Sequence, residues 1–545
     1  MAVVAIDKKD LLAFVGKALD DGELARLVTD LGMPVEKITE SEVQVDITPN
    51  RPDMFSAEGL GRAISSLAGI KTGLRNYSAT DSGVSVSVER SVKKVRPYIA
   101  AAIARNVKMD DALVKSLVAL QEKLHDTLGR RRRKVAIGFT DFNKLKPPFT
   151  YKAVKPDESP FIPLGQSEPW TPARILKELK QGQDYGYILE GHGQYPLICD
   201  SEGNVIALPP IITAEMVKIT PSTRDVFIDV TGTSQHAVHE CLKIICCALA
   251  DRGAQIQSVN INYGKKTLTT PDLSPLKTML PIRTVNKILG MDFTTEQIKE
   301  YLERMGHGVE IKEKGKLSVV SPTYRNDIFQ EIDLAEDVAI AFGYNNFEPI
   351  LPQFSSIGKR SPSDVRAGLI RDLMIGFGFT EVLAPYITNR ATNFEKPMLG
   401  EHPAIHIKNP LTENFTMFRS WCIPSLLEIL AASKDQKMPQ KIFEVGHAAI
   451  LVDGKPVEQE KLAAAICDPK TSFNEMRSIV EGVAYELGLK LEFAGLDSHP
   501  TFIPGRAVEI IMDGKPIGVF GEIHPQVLNN FGIEQPVTAF ELKLA

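Results

Sequence analysis

The chain has 545 residues, of which 43% are hydrophobic and 24% charged, and its net charge is −5 at pH 7. This length exceeds what one hydrophobic core supports, so about three to four domains are expected. No apolar run is long enough to span a membrane, and the first ten residues lack the apolar core of a signal peptide. Six cysteines without a CxxC pair argue against a zinc cage or a disulfide framework and favour the reducing cytoplasm.

Residues 1–75 predict one small α+β module. A strand, a helical stretch, a second strand, a proline turn and a capped helix are expected in that order. The residues that mark them are Val3–Ile6, Gly32, Val43 with Val45 and Ile47, Pro49 with Pro52, and Ser56 to Gly69.

Residues 76–90 are small and polar and are expected to form a linker. Residues 91–262 mix apolar strands with helices such as 110–128, which predicts one central α+β domain. In this domain Cys246 and Cys247 lie in an apolar run and are expected to be buried thiols.

Small polar residues of the central domain are placed where they could line a pocket. Asp229, Thr231 and Thr233 alternate along one expected strand, and Pro209-Pro210 makes a bend. Solvent-facing strand residues, followed by a helix cap at Ser234, explain the same pattern. The spacing alone leaves both interpretations open.

The basic run Arg130–Lys134 is the clearest local positive charge of the chain. Because the net charge is −5, the chain as a whole has no attraction to nucleic acid. Any contact with RNA would therefore use a local basic patch such as this one. A solvated turn accounts for the run equally well.

Residues 274–347 predict a second copy of the first module, because the two segments align without a gap at an offset of 274 positions. The matched pairs are Gly16 and Gly290, Gly32 and Gly306, Arg51 and Arg325, Asp53 and Asp327, and Gly69 and Gly343.

The second copy carries acids that the first copy lacks. Asp333, Glu336 and Asp337 are spaced to share one helix face, and Asp327 lies just before that helix. Carboxylate oxygens suit Mg²⁺, but an acidic first helical turn, with Arg325 pairing one acid, explains them too. The first copy favours the metal, since a dipole argument would apply equally to it. Its aligned residues are Gly59, Arg62 and Ala63.

Residues 363–545 are expected to open with a helix and to continue with short strands. The segment GFGFTEVLAPYI (376–387) resembles the first motif of class II aminoacyl-tRNA synthetases, a family that clamps ATP with an Arg-x-Glu pair and a later arginine. Here Trp421 follows Arg419-Ser420 in place of Glu, and no arginine follows Gly521 directly. We therefore expect no activation of ATP by this chain.

The motifs together make the chain resemble the beta subunits of phenylalanyl-tRNA synthetase, in their shorter archaeal and eukaryotic form. The resemblance covers nearly the whole chain, and its specificity comes from several motifs in the right order. The motifs are VDITPNRPD (45–53), VRPYIAAAIARNV (95–107), LQEKLH (120–125), VAIGFTDFNK (135–144), LPPIIT (208–213), FIDVTGT (227–233), the acidic segment 322–344, IFEVG (442–446) and FGEIHP (520–525).

The resemblance implies an α+β multidomain fold. It would comprise repeated small α+β modules, a central α+β domain of the tRNA-editing type and a catalytically silent class II synthetase-like domain with an antiparallel sheet. It also implies an α₂β₂ tetramer in the cytoplasm, in which an alpha subunit activates phenylalanine with ATP and tRNA(Phe) is bound. The beta subunit would hydrolyse tyrosine wrongly attached to that tRNA.

The resemblance also carries over individual residues. The family's Mg²⁺ ligands match Asp327, Asp333, Glu336 and Asp337, and its editing-pocket positions resemble Leu197, Pro209, Pro210, Asp229 and Thr231. Two pocket positions depart from the family, since Ala207 stands where Ser is usual and Thr213 where Asn is usual.

Two alternatives to this function remain. One is a free-standing aminoacyl-tRNA deacylase or nucleic-acid-binding scaffold without a synthetase partner. The other is a metal-dependent nuclease that uses the four acids, which is disfavoured because the sequence places no His or Lys close to them for proton transfer.

Overall fold

The computed structural model describes residues 2–313, 315–354, 356–400 and 402–544. The chain divides into two compact units, Met1–Ile350 and Leu351–Ala545. Both mix helices with sheets, so the chain is a mixed α/β multidomain protein. No helix in the described ranges is long and apolar enough to cross a membrane.

The first small module packs three helices on an antiparallel sheet of order β1-β3-β2. The Ser56 side chain caps the last helix by accepting the Gly59 N–H at 3.3 Å, and Gly69 follows that helix with φ of 74°. The elements are β1 (Ala2–Asp7), α1 (Lys8–Val15), α2 (Asp21–Asp30), β2 (Val35–Ile38), β3 (Glu42–Ile47) and α3 (Ala57–Leu67).

The central domain is a ten-stranded mixed sheet of order β10-β9-β8-β7-β4-β12-β5-β11-β6, with β13 paired to β12. Helix α7 packs its apolar face on the sheet, and Cys246 and Cys247 are buried there as predicted. The elements are β4 (Thr80–Val88), β5 (Tyr98–Arg105), α4 (Asp111–Asp126), β6 (Val135–Asp141), β7 (Phe149–Val154), α5 (Pro172–Glu178), α6 (Lys180–Tyr185), β8 (Tyr195–Cys199), β9 (Val205–Leu208), β10 (Ile212–Thr213), β11 (Val226–Gly232), α7 (Gln235–Asp251), β12 (Gln255–Tyr263) and β13 (Lys266–Thr270).

The prediction of a linker at residues 76–90 is wrong. Strand β4 occupies Thr80–Val88 and lies inside the sheet, parallel to both β7 and β12. The period-two apolar signal in this segment comes from Val84, Val86 and Val88, which alternate with small polar residues. The sheet therefore extends on both sides of the predicted 91–262 domain.

The second small module repeats the element order of the first, with a sheet of order β14-β16-β15. Its strands and helices start at or within one residue of the positions that an offset of 274 gives. The elements are β14 (Leu276–Pro281), α8 (Ile282–Leu289), α9 (Thr295–Arg304), β15 (Gly308–Glu313), β16 (Lys316–Ser321) and α10 (Glu331–Phe342).

The two small modules contact each other within the first unit. The Arg304 guanidinium donates to the Leu67 carbonyl from Nε at 3.0 Å and from Nη2 at 2.9 Å. The Arg62 guanidinium lies over the Tyr324 ring, 3.8 Å from its centroid. A charged side chain of one copy therefore packs on an aromatic ring of the other.

The second unit is built on a seven-stranded sheet of order β17-β20-β21-β25-β24-β23-β22, antiparallel except for the β17–β20 pair. Helices α12 and α14 contribute to a core on one side, and α11 and α13 to a separate core. The elements are α11 (Pro362–Gly376), β17 (Thr380–Glu381), β18 (Ile387–Thr388), β19 (Met417–Phe418), α12 (Ile423–Ala432), β20 (Gln440–Val452), β21 (Lys455–Cys467), α13 (Phe473–Glu486), β22 (Glu492–Gly495), β23 (Phe502–Met512), β24 (Lys515–Ile523), α14 (Pro525–Phe531) and β25 (Val537–Lys543).

Candidate functional site

A cavity of about 420 Å³ lies in the central domain, between α4, the strands β6 and β11, and the segment that follows β9. Its volume falls in the range of about 300–1,000 Å³ that small-molecule sites occupy. Four of the five predicted pocket residues line it: Pro209, Pro210, Asp229 and Thr231. The fifth, Leu197, does not line the cavity and is fully buried in a neighbouring core.

Asp229 is the buried acid of this cavity. Strand pairing places it directly opposite Gly138, where an added Cβ would lie 2.2 Å from the Asp229 Oδ2 atom. The carboxyl group therefore needs the space that glycine leaves. Its Oδ2 has no hydrogen-bond partner among the described residues, and burial raises its pKa to about 7. The group is thus able to exchange a hydrogen bond with a ligand hydroxyl near neutral pH.

Thr231 connects the cavity to a buried arginine. Arg96 donates from Nε to the Thr231 Oγ1 at 2.9 Å and from Nη2 to the Thr231 carbonyl at 2.7 Å. Burial lowers the pKa of Arg96 to about 10. Thr231 is therefore held rigidly, since one buried side chain binds both its hydroxyl and its carbonyl.

Glu122, His125 and Arg132 also line the cavity, although the sequence did not predict them as pocket residues. The His125 Nε2 accepts the Ile137 N–H at 2.8 Å, which leaves Nδ1 to donate to the Glu122 Oε1 at 3.2 Å. Arg132 donates to the same Glu122 oxygen at 2.8 Å. The spacing of Glu122 and His125 in LQEKLH was the available signal, whereas the position of Arg132 depends on the left-handed conformation of the turn, which the sequence did not predict.

The two positions that depart from the family lie at this cavity and opposite each other. Ala207 on β9 pairs with Thr213 on β10, and both line the cavity. The replacement of two polar family residues therefore affects one local part of the wall.

The acidic segment of the second module is held by internal partners. Arg325 binds Asp327 through two hydrogen bonds of 2.8 and 2.7 Å, and Arg51 binds Asp53 in the first module through two of 2.9 Å. Although burial opposes ionisation, the Arg325 guanidinium lowers the pKa of Asp327 to about 2. Asp327 therefore has a structural role that both copies share.

Asp337 lies buried between two cationic or titratable partners. Its carboxylate contacts the Arg325 Nη2 at 3.0 Å and the His307 Nε2 at 2.6 Å. Burial raises the pKa of Asp337, but Arg325 and His307 outweigh it and the net shift is downward. The expectation that no histidine lies close to the acids is therefore wrong, because the fold brings His307 to them.

Asp333 caps the start of α10. Its Oδ2 accepts the N–H groups of Phe329 and Gln330 at 2.7 and 2.8 Å. The aligned residue of the first copy, Gly59, cannot carry a side chain, since an added Cβ would lie 1.6 Å from the Asp53 carbonyl oxygen. The lack of an acid there has a steric cause, so the first copy is a poorer control for metal binding than its sequence suggested.

Glu336 is the one acid of the four that makes no hydrogen bond or ion pair with any residue the structure describes, and its side chain is exposed. Partial burial and then the neighbouring carboxylates raise its pKa. Within the described ranges, no group of three or more His, Cys, Asp or Glu residues is placed so that it could hold a metal ion. The four acids therefore do not fit a Mg²⁺ site in the arrangement seen here, and that site stays a prediction.

In the second unit the arginine of the degenerate ATP motif is used internally. Arg419 binds Glu444 through two hydrogen bonds of 2.9 and 2.7 Å and donates to the His447 carbonyl at 2.8 Å. Trp421 is buried and donates its indole N–H to the Asn393 carbonyl at 3.0 Å. The segment thus stabilises its own unit, and the Arg419 guanidinium is occupied by these internal hydrogen bonds.

Comparison with known proteins finds family matches in both units of the chain. Residues 348–544 match the family described as phenylalanyl tRNA synthetase beta chain CLM domain, and residues 278–344 match the tRNA synthetase B5 domain. A phenylalanine–tRNA ligase beta subunit of Archaeoglobus fulgidus is 42% identical over 100% of this chain and 98% of its own length. One of Thermococcus sibiricus is 39% identical over 99% of this chain and 98% of its own.

A solved structure agrees with these matches. It is an N-terminal fragment of the phenylalanyl-tRNA synthetase beta subunit from Pyrococcus horikoshii, 37% identical, with a TM-score of 0.61, and the alignment covers 63% of this chain and 99% of that one. The matches define an aminoacyl-tRNA synthetase subunit, a component of a ligase of protein biosynthesis. The chain belongs to the family of phenylalanine–tRNA ligase beta subunits.

Proposed function

We propose that the central domain of this beta subunit hydrolyses tyrosine wrongly attached to tRNA(Phe), in the 420 Å³ cavity. The observation that carries the proposal is Asp229, a buried carboxyl group whose Oδ2 has no partner among the described residues. The phenol hydroxyl distinguishes tyrosine from phenylalanine, and a buried acid can bond it. Phenylalanine would leave the acid unpaired, which costs binding free energy.

The apolar and proline-rich parts of the wall support the same proposal. Pro209, Pro210 and the aliphatic residues of α4 offer surface for an aromatic ring, whereas Asp229 offers the polar contact. Arg132 brings a fixed positive charge to the wall, and its buried Nε has no acceptor within the described residues. Such a donor suits the oxyanion that develops when water attacks an ester.

The rest of the proposal concerns the complex. The chain is expected to act with a catalytic alpha subunit as a cytoplasmic α₂β₂ tetramer that binds tRNA(Phe). ATP would be used by the alpha subunit, because Arg419 here is bound to Glu444 and Trp421 replaces the clamp glutamate. Purified alone, the chain is expected to show no ATP–pyrophosphate exchange with phenylalanine.

Magnesium is a separate proposal, which rests on the resemblance of Asp327, Asp333, Glu336 and Asp337 to the family's ligands. Glu336 is the residue that could take a hydrated ion without losing a partner, since Mg²⁺ retains waters and needs few carboxylates. Asp333 and Asp337 would have to exchange their present contacts.

The test uses Asp229→Ala and Thr231→Ala in the reconstituted complex. Both variants should slow the hydrolysis of Tyr-tRNA(Phe) by tenfold or more, about the effect of one lost hydrogen bond to a buried charged group. Thr231→Ser keeps the hydroxyl and serves as the matched control. Phenylalanylation by the same preparations shows that the complex has assembled. Hydrolysis at the parent rate in both alanine variants would place the site elsewhere.

A further inference from the structure

The basic run Arg130–Lys134 forms an uncommon turn between α4 and β6. Arg130, Arg131 and Arg132 have φ angles of 47°, 54° and 64°. Side chains with a Cβ rarely adopt this left-handed region, and three in succession are disfavoured by sterics. Such a conformation persists only where the surrounding structure fixes it.

Contacts from elsewhere in the domain fix this turn. Arg96 Nη1 donates to the carbonyls of Arg132 and Arg133 at 3.2 and 3.3 Å, and the Thr233 N–H donates to the Lys134 carbonyl at 3.0 Å. Gly129 and Gly232 permit this close packing, since an added Cβ at either position would meet backbone atoms at 2.5 and 2.1 Å. The backbone of the turn is therefore held in one conformation.

The turn directs its charges in two ways. Arg132 reaches the wall of the 420 Å³ cavity, where it binds Glu122. Arg130 and Arg131 are exposed, and their guanidinium groups make no ion pair or hydrogen bond with the described part of the chain, although the Arg131 carbonyl accepts the Tyr187 hydroxyl at 3.4 Å. Arg130 also lines a second cavity, of about 300 Å³, together with Lys134, Ser234 and His236.

The charge of the turn indicates which kind of ligand it binds. The chain carries a net charge of −5, so the exposed guanidinium groups of this turn, which have no carboxylate partner among the described residues, form a local positive patch on a negative chain. Guanidinium groups bind phosphate oxygens through paired hydrogen bonds. A rigid turn also loses little conformational entropy when it binds, which favours a fixed and repeated contact.

We propose that Arg130 and Arg131 bind backbone phosphates of the RNA strand whose aminoacylated 3′ end occupies the 420 Å³ cavity. These contacts then fix the distance between the RNA strand and the cavity, because the same rigid backbone turn carries Arg132 at the cavity wall and Arg130 and Arg131 outside it. This inference rests on the proposed editing function and adds the surface that holds its substrate.

The experiment compares two substrates in the reconstituted complex. One is Tyr-tRNA(Phe), and the other is a tyrosyl ester of adenosine, which has no phosphate strand. The double variant R130Q/R131Q should raise the Michaelis constant for Tyr-tRNA(Phe) about tenfold at 0.15 M salt. It should also reduce the slope of log affinity against log salt by about 1.4, or about 0.7 for each lost contact with single-stranded RNA.

Two further variants serve as controls. R130K/R131K keeps both charges and should retain the parent salt slope. K9Q/K37Q removes the same net charge from two exposed lysines of the first module that line neither cavity, and should leave the Michaelis constant at the parent value.

Each outcome decides between the two proposals. If R130Q/R131Q hydrolyses the adenosine ester at the parent rate and its salt slope for Tyr-tRNA(Phe) is unchanged, the phosphate contact is overturned and the editing function still stands. An equal loss of hydrolysis on both substrates in R130Q/R131Q would show that the turn acts only by shaping the cavity. That result would also overturn the phosphate contact. A parent that hydrolyses neither substrate would overturn the proposed function itself.

Discussion

Asp229 is a carboxyl group whose surroundings disfavour its charge, and this makes stability depend on pH. The folded chain keeps the proton up to a pKa of about 7, whereas an unfolded chain releases it at about 3.9. Below about pH 4 both states are protonated and burial carries no penalty. Between these values only the unfolded state gains by ionising, so native stability falls by up to about 1.4 kcal/mol per pH unit.

Asp229→Asn removes this titration while keeping the shape of the side chain. Its melting temperature relative to the parent should therefore be higher at pH 7 than at pH 5. Thermal unfolding of the two proteins at both pH values provides the measurement. A difference that is the same at both pH values would show that Asp229 titrates normally.

Gly138 tests the packing around the same carboxyl group. In Gly138→Ala the new methyl group would lie 2.2 Å from the Asp229 Oδ2, so the acid must move or the strands must separate. We expect a loss of about 1–3 kcal/mol of stability, as for other overpacked sites, together with slower clearance of Tyr-tRNA(Phe). Gly193→Ala is the matched control, because its Cβ would meet nothing within 4 Å. A Gly138→Ala protein that behaves like Gly193→Ala would contradict the described packing.

At the scale of elements, helix α10 carries two acids with different expected roles: Asp337 is structural, and Glu336 is a candidate metal ligand. Asp337→Asn removes the buried carboxylate that Arg325 and His307 share, whereas Arg325 keeps its ion pair with Asp327, and it should cost about 1–3 kcal/mol with or without Mg²⁺. Glu336→Gln should change stability by less than about 0.5 kcal/mol in the absence of Mg²⁺, because Glu336 is exposed.

The magnesium proposal predicts a further difference at this helix. Mg²⁺ should raise the melting temperature of the parent and of Glu331→Gln, a control on the same helix, but not that of Glu336→Gln. Melting curves of the assembled complex with and without Mg²⁺ would show this. The same Mg²⁺ response in all three proteins would remove Glu336 from any metal site.

The elements also show what the sequence could and could not predict. The repeat at an offset of 274 indicated the small modules, because periodicity and glycine positions are local signals. Strand β4 was missed, since its partners β7 and β12 are distant in sequence and its composition is polar. The contacts of the acids were missed for the same reason: His307, which binds Asp337, lies 30 residues before it.

The pocket shows the same division between local and long-range information. Motif resemblance indicated Asp229, Thr231 and the Pro209-Pro210 bend, which all line the cavity. Arg132 reaches it through three left-handed residues, a conformation that the sequence RRRRK does not favour. Its place at the cavity depends on the buried Arg96, which lies before β5 and 36 residues before Arg132, and whose contacts fix the turn.

At the scale of the whole molecule, the two units differ in the chemistry that their residues can supply. The first unit contains a cavity with a buried acid and a cationic donor, whereas the second binds its one motif arginine in an internal ion pair. The proposed hydrolysis of mischarged tRNA therefore belongs to the first unit, and for the second unit we propose a non-catalytic role in the ligase.

The most direct test of this account is the ratio of two hydrolysis rates in the reconstituted complex, for Tyr-tRNA(Phe) and for Phe-tRNA(Phe). A buried acid that bonds the phenol hydroxyl should discriminate against the substrate that lacks it by about 10⁴-fold. The account predicts rapid loss of the tyrosyl ester and persistence of the phenylalanyl ester. Equal rates for the two esters, or stability of both, would contradict it.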